Sequence, residues 1–241
     1  MHLKNNRYRL KPHEVEALEK MRETEARNIL VIGDLHEPFC LDGYLEWCQE
    51  QYKTFNCNQV IFIGDILDNH AYSYHEPDPN GDSAGLELEK TIEKVSHWYK
   101  AFPVADVCIG NHDRMAARKS FSGGIPKEWI RSYNEVLGTP NWNWVESVVY
   151  DDILFEHGEG GQAQAKAKNN LMSSVCGHTH TEAYCKWFVG KRFRVFGMQV
   201  GCGVDADTYA AAYAKNFKRQ AIGAAVVLNN GTLPINLLME L

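Results

Sequence analysis

The sequence predicts an α/β fold in which short buried strands alternate with helices early in the chain and pair as hairpins late in it. Three observations carry this. Apolar runs rich in β-branched residues close on glycine at Ile29–Ile32 before Gly33, Val60–Ile63 before Gly64 and Val104–Ile109 before Gly110, as buried strands do when they end in tight turns. Stretches with apolar residues at helical spacing lie between them. Turn-type segments, Asp151-Asp152 and Asn229-Asn230-Gly231, separate later apolar runs and imply an antiparallel portion. A mixed sheet, or two packed sheets, follows.

Taken in order, Pro12 to Arg27 reads as a first helix, with Pro12 suited to an initial turn and Val15, Leu18 and Met21 at helical spacing. Leu41 to Tyr52 makes a second, burying Leu41, Tyr44, Leu45 and Cys48, and Ala84 to Phe102 a third, with Leu86, Leu88, Ile92, Val95 and Tyr99 as core candidates. Strands follow at Ser147–Tyr150, Ile153–Glu156, Ser174–Cys176, Phe193–Val200, Ala221–Leu228 and Pro234–Leu238. Two segments break the alternation: the polar, turn-rich stretch His70 to Ser83, and the aromatic, basic stretch Arg114 to Trp144, expected as an inserted substrate wall.

The 241 residues contain no Pro/Ser-rich linker, so one domain is expected, with residues 1–27 as an N-terminal helical extension. A net charge of -6 argues against indiscriminate binding of nucleic acid over the whole surface, though not against a local basic patch. No apolar stretch approaches the ~20 residues that cross a bilayer, and the start lacks a signal-peptide core; a cytoplasmic location is expected. The seven cysteines have no Cys-x-x-Cys spacing, which disfavours a disulfide framework or a zinc knuckle.

Five short motifs of metal-binding residue types each follow an apolar run: Asp34-Leu35-His36, Gly64-Asp65-Ile66-Leu67-Asp68, Gly110-Asn111-His112-Asp113, His157-Gly158 and Gly177-His178-Thr179-His180. Strands of an α/β sheet deliver what lies past their carboxyl ends to one edge. Residues two apart in an extended turn project to the same side, so Asp34 and His36, and likewise His178 and His180, can reach one cluster. With Asp65, Asn111 and His157 they provide seven ligand-capable side chains, enough for two four-ligand sites if Asp65 is shared. A mixed nitrogen and oxygen set favours Mn, with Fe, Zn or Ni as alternatives.

In order and residue type these motifs resemble the calcineurin-like metallophosphoesterase superfamily from Asp34 to His180. The resemblance implies a four-layer α/β/β/α sandwich with two mixed β-sheets. It implies that Asp34, His36 and His180 hold one ion, Asn111, His157 and His178 the other, and Asp65 both. It makes His112 the general acid for the leaving oxygen or a positive donor to the phosphoryl group, with Asp68 orienting its ring and Asn111 touching the phosphate. The implied activity is dinuclear metal-dependent hydrolysis of a phosphomonoester or phosphodiester by a metal-activated hydroxide; among substrates, the aromatic and basic residues of Arg114 to Trp144 favour a small or terminal phosphate on a nucleotide or a nucleic-acid end. A catalytically silent scaffold that binds a partner protein is the alternative. A protein phosphatase is the weaker reading, because such enzymes resemble one another in carrying Arg where Asn69 stands.

Around these motifs several readings stay open. Asp113 either assists His112 or caps the next helix. His70, His75 and Arg114 are candidate substrate contacts, and Arg118, Lys119, Lys127 and Arg131 are either a phosphate-attracting face or a solvated one. Among Trp129, Trp142 and Trp144, core packing is expected for at least two. Gly158-Glu159-Gly160-Gly161 lacks the Lys-Ser/Thr ending of a nucleotide loop and reads as a flexible turn.

Overall fold

The structure, a computed structural model, describes residues 11–12, 26–74, 78–208 and 219–240. Most of the expected first helix, and His75, lie outside these residues. Eleven strands are formed: β1 Ile29–Ile32, β2 Gln59–Phe62, β3 Ala105–Cys108, β4 Trp142–Val145, β5 Ser147–Tyr150, β6 Ile153–Glu156, β7 Ser173–Cys176, β8 Tyr184–Val189, β9 Arg194–Gln199, β10 Gly223–Leu228 and β11 Leu233–Leu238. The α-helices are α1 Tyr44–Thr54, α2 Ala84–Ala101, α3 Met115–Ser122, α4 Tyr133–Leu137 and α5 Ala163–Asn170, and single 3-10 turns span His70–Tyr72 and Lys127–Trp129.

The strands make two mixed sheets, ordered β11-β10-β1-β2-β3-β4 and β5-β6-β7-β9-β8. β1 to β4 are parallel, with β10 antiparallel to β1; β6, β7 and β9 are parallel, flanked by antiparallel β5 and β8. Alternation within each strand assigns the layers. From β1, Leu30 and Ile32 pack with Tyr44 of α1 and Val95 and Trp98 of α2, whereas Ile29 and Val31 pack with Phe155, Val175 and Met198 of the other sheet. Helix α5 covers the far face of the second sheet, where Gly197 of β9 lies so close to Ala163 and Gln164 that a Cβ there would collide with their backbone. The result is the α/β/β/α sandwich.

Asp151 and Asp152 have φ of 53° and 60°, the left-handed pair that a tight hairpin turn requires. Nearby, buried Asp106 accepts hydrogen bonds from Gln59 Nε2 at 3.1 Å, Asn143 Nδ2 at 2.8 Å and Tyr150 Oη at 2.9 Å. Three neutral donors from β2, β4 and β5 thus meet one carboxylate and pin the two sheets together. All seven cysteines are free thiols and five are buried, as small apolar residues are. Among the described residues no helix is long and apolar enough to cross a membrane.

Some expectations change. Helix α1 begins at Tyr44 rather than Leu41, because Gly43 precedes it in the left-handed region at φ 86°. Leu86 and Leu88 are exposed; the inward face of α2 runs instead through Glu87, Thr91, Val95 and Trp98, spaced by four, four and three. The stretch 114–144 ends in a strand, since Trp142–Val145 pairs with β3. Trp142 is buried against Phe62 at 4.8 Å and Trp144 stacks on Tyr133 at 4.3 Å, so two of the three tryptophans pack as expected. β8 is missed in the sequence reading: it is an edge strand, partly exposed along its length, and Lys186 interrupts its apolar residues.

Trp98 Nε1 donates to Glu37 Oε1 at 2.7 Å inside this core, and burial pushes the Glu37 carboxyl up to about 7. Replacing Trp98 by Phe leaves that carboxyl without its donor. We expect Trp98→Phe to lower the unfolding free energy by about 1–3 kcal/mol in urea titrations; a loss below about 0.5 kcal/mol would show that the hydrogen bond carries no stability.

Candidate metal centre

The carboxyl ends of β1, β2, β3, β6 and β7 converge on one edge of the sandwich, and the five motifs meet there. The turns that deliver them are strained: His36, Asp65 and His178 have φ of 51°, 48° and 69°, left-handed conformations that cost a non-glycine residue about 1 kcal/mol or more. Close approach needs glycine at two neighbours. A Cβ on Gly110 would collide with the Asp65 carboxylate, and one on Gly177 with that of Asp34.

Two groups of donors result. In the first, ligand atoms of Asp34, His36 and His180 lie within 4.8 Å of one another, His180 Nε2 being 3.1 Å from Asp34 Oδ2. In the second, Asp65, His157 and His178 meet the same limit. His157 Nε2 is 3.1 Å from Asp65 Oδ2, 3.2 Å from His178 Nδ1 and 3.0 Å from Asn111 Oδ1. Asp65 Oδ2 also lies 3.6 Å from His36 Nε2. One carboxylate oxygen therefore faces both groups, and its partner Oδ1 is held by the His112 N–H at 2.8 Å.

Further hydrogen bonds fix the rings. His157 Nδ1 donates to the Ile63 carbonyl at 3.2 Å and His36 Nδ1 pairs with Asp68 Oδ1 at 2.6 Å, so each presents Nε2, as ligating histidines do. Asp68 serves two rings through different atoms. The family resemblance gives its carboxylate to His112; the structure pairs the carboxylate with His36, leaves it 3.6 Å from His112 Nδ1, and sets the Asp68 backbone carbonyl 2.6 Å from that nitrogen.

Charge follows from this crowding. Burial alone would lower the His157 pKa, but the carboxylates of Asp65 and Asp34 outweigh it and hold it up at about 10. His112 is likewise raised, Asp65 and Asp68 overcoming its burial, while burial and the charge of His112 lower His36, and burial and the charge of His157 lower His178. A site with several nitrogen and carboxylate donors aimed inward calls for cations. Two donor atoms make the test specific: Asp34 Oδ1 and His36 Nε2 are buried with no hydrogen-bond partner among the described residues. Both belong to the expected ligand set, so the residues present fit a pair of divalent ions.

The other candidates stand elsewhere. Asp113 neither contacts the His112 ring through a hydrogen bond nor caps a helix; its carboxylate accepts from Leu67 N–H at 3.1 Å and Gly110 N–H at 2.8 Å, stapling two motif turns. His70 is buried, its Nε2 accepting from Asp78 N–H at 3.0 Å and its Nδ1 lying 4.0 Å from Asp68 Oδ2. Arg114 is gripped by Glu146 and Glu159 at the rim. Sequence reasoning misses three supports. Glu37 accepts from Trp98, Asn69 Nδ2 donates to the His112 carbonyl at 2.8 Å, and Glu87 takes the N–H groups of His70 and Ala71 at 2.7 and 2.9 Å. The only signals for them are that Glu37 and Asn69 each adjoin a motif and that Glu87 is an acid on an otherwise inward helix face.

Two mixed sheets with a histidine and carboxylate cluster at the carboxyl ends of their parallel strands define a metal-binding sandwich of the phosphoesterase type. The chain belongs to the calcineurin-like phosphoesterase family, whose sequence model matches residues 27–194. Solved structures with a similar fold include vacuolar protein sorting 29 from Cryptosporidium parvum, at 15% identity and a TM-score of 0.44 over 86% of each chain. Yfce, a phosphoesterase from E. coli, aligns at 13% identity and a TM-score of 0.41 over 87% of this chain and 99% of that one. Nuclease MPE of Pseudomonas putida aligns at 12% identity and a TM-score of 0.33 over 86% and 84%. No curated protein sequence matches the chain. Likeness at these identities concerns the fold alone.

A proton balance tests the centre. With its pKa at about 10 in the metal-free protein, His157 is protonated at neutral pH and must lose that proton to ligate. Metal affinity should therefore weaken as pH falls from about 9 to about 6, with proton release on binding. Calorimetric titration with Mn in buffers of different ionisation enthalpy reads the release, and the absence of any release at neutral pH would contradict the assignment.

Proposed function

We propose that the chain is a dinuclear metal-dependent phosphoesterase, with Asp34, His36 and His180 holding one ion, Asn111, His157 and His178 the other, and Asp65 shared between them. The observation that carries the reading is the position of Asp65 Oδ2, 3.1 Å from His157 Nε2 and 3.6 Å from His36 Nε2. Mixed nitrogen and oxygen donors favour Mn, with Fe, Zn or Ni as alternatives. When bound, such a pair supplies positive charge for phosphoryl oxygens and a source of hydroxide near neutral pH.

The chain's own groups do the rest. With its Nδ1 engaged by the Asp68 carbonyl, His112 has Nε2 left to donate a hydrogen bond to the phosphoryl group or a proton to the departing oxygen. In the metal-free protein burial lowers the pKa of this ring and the carboxylates of Asp65 and Asp68 more than restore it, toward the protonated form. Asn111 places an amide beside the same substrate oxygens, and the Asp65 carboxylate fixes the His112 backbone. A silent scaffold is the second reading. Retention of every ligand, His112 and the strained turns that carry them disfavours it, since strain of this kind persists at working sites.

Two measurements decide. On a chromogenic phosphodiester or monoester with added Mn, His112→Ala should lower kcat by about 10²–10⁴-fold while metal content is retained; wild-type turnover absent on every ester tested would favour the scaffold. Metal counting on purified protein should find both ions depleted in Asp65→Ala but chiefly one in His180→Ala. Two ions retained in Asp65→Ala would refute the sharing.

A further inference from the structure

The wall that follows His112 is unusual in what it shows to solvent. Phe121 is 85% exposed and Trp129 80%, and across from them Tyr74, at 54%, carries Arg118 at 4.9 Å and Lys119 at 4.2 Å over its ring. Helix α3 and the Lys127–Trp129 turn touch, and hydrogen bonds from Gly124 N–H to the Phe121 carbonyl at 3.0 Å and Ile125 N–H to the Ser120 carbonyl at 2.9 Å close the link between them. Phe121 and Trp129 thus stand exposed on two joined elements, and Tyr74 meets the first of these elements through Arg118 and Lys119. This strip of the wall is also basic: residues 115–131 hold four basic side chains against one acid in a chain of net charge -6.

We infer that this strip grips single-stranded nucleic acid and feeds it to the metal centre, which names the substrate class of the proposed phosphoesterase and rests on that reading. Three arguments select the occupant. Exposed rings in a basic segment are what unpaired bases and their phosphates require, a base stacking on the open face of Phe121 or Trp129 and the phosphates meeting the cations. A duplex keeps its bases stacked on one another and offers the rings no face. The strip is also continuous with the site, because Met115 N–H donates to the His112 carbonyl at 3.1 Å, and Phe121 lies only about 9 Å further along the helix axis than Met115. A second copy of this chain fits poorly: an isologous contact would set the basic strip against itself, and lysine is depleted in the centres of protein interfaces.

The test uses the full chain as purified and a fluorescein-labelled, phosphorothioate-linked oligothymidine of about 12 nucleotides, a length within single-strand site sizes, with an oligouridine of the same length to separate DNA from RNA. By fluorescence anisotropy, the double variant Phe121→Ala, Trp129→Ala should raise Kd by about tenfold or more, whereas Trp129→Tyr keeps binding. Lys119→Glu should weaken binding and flatten the salt dependence by about 0.7 in log-log slope for each phosphate no longer neutralised. These side chains are exposed, so an unchanged thermal midpoint verifies folding; should the double variant unfold, Lys119→Glu and Trp129→Tyr decide. Unchanged Kd in the double variant and in Lys119→Glu, or equal affinity for a duplex, overturns the inference. So does a dimer that dissociates in the double variant while Kd stays constant, which would assign the strip to a second copy. Wild-type turnover of bis(p-nitrophenyl) phosphate and of p-nitrophenyl phosphate with Mn is followed in parallel: turnover of either with binding indifferent to the strip rejects only this inference, and binding without turnover of both rejects the phosphoesterase reading.

Discussion

The centre depends on one carboxylate. Asp65 sits in a left-handed conformation with φ 48°, Oδ1 tied to the His112 N–H and Oδ2 facing ligand nitrogens of both donor groups. Each feature needs the others. The left-handed turn aims the carboxylate across the edge of the sheet, the N–H of His112 fixes its rotation, and Gly110 leaves the space it fills. Positive φ and a buried charge are both costly, and they coexist here because β1, β2 and β3 around them are buried on both faces and cannot relax.

Support for the centre is layered outward by hydrogen bonds rather than by packing alone. Asp68 holds His36 by carboxylate and His112 by carbonyl. Asp113 fastens the Asp65 turn to the Asn111 turn through two backbone N–H groups, and burial with the nearby charge of Asp65 pushes its own carboxyl up to about 7. Beyond these, Glu37 and Glu87 tie the His36 loop and the His70 loop to α2. Helix α2 is thereby a polar brace as well as a core element, which explains acids on a face that periodicity marks as apolar.

Much of this is legible in the sequence because the signals are local. An apolar run closed by glycine and followed by a candidate metal-binding residue identifies a strand, its direction and its edge at once, and four such endings, with His157 after Ile153–Glu156 as a fifth motif, locate the centre. The α/β class and the hairpin at Asp151-Asp152 follow from the same local rules, which leave one mixed sheet and two packed sheets open; it is the family resemblance that implies the four-layer sandwich. What is not legible depends on contacts between distant residues. Leu86 and Leu88 fit the helical period as well as Val95 does, and only the reach of the sheet decides that they stay in solvent. Which atom of Asp68 faces His112 depends on the turn at Asn69, whose φ is 57°. β8 is hidden because edge strands dilute their apolar residues, and Trp142 and Trp144 look like wall until pairing with β3 draws them into the sheet.

The Asp106 knot has a consequence at the other end of the molecule. Gln59, Asn143 and Tyr150 reach that carboxylate from β2, β4 and β5, so the sheets are clamped at a point remote from the rim that carries the ligand residues. Anchorage and chemistry are thereby set apart: the polar tie between the two sheets is made by residues that belong to neither donor group.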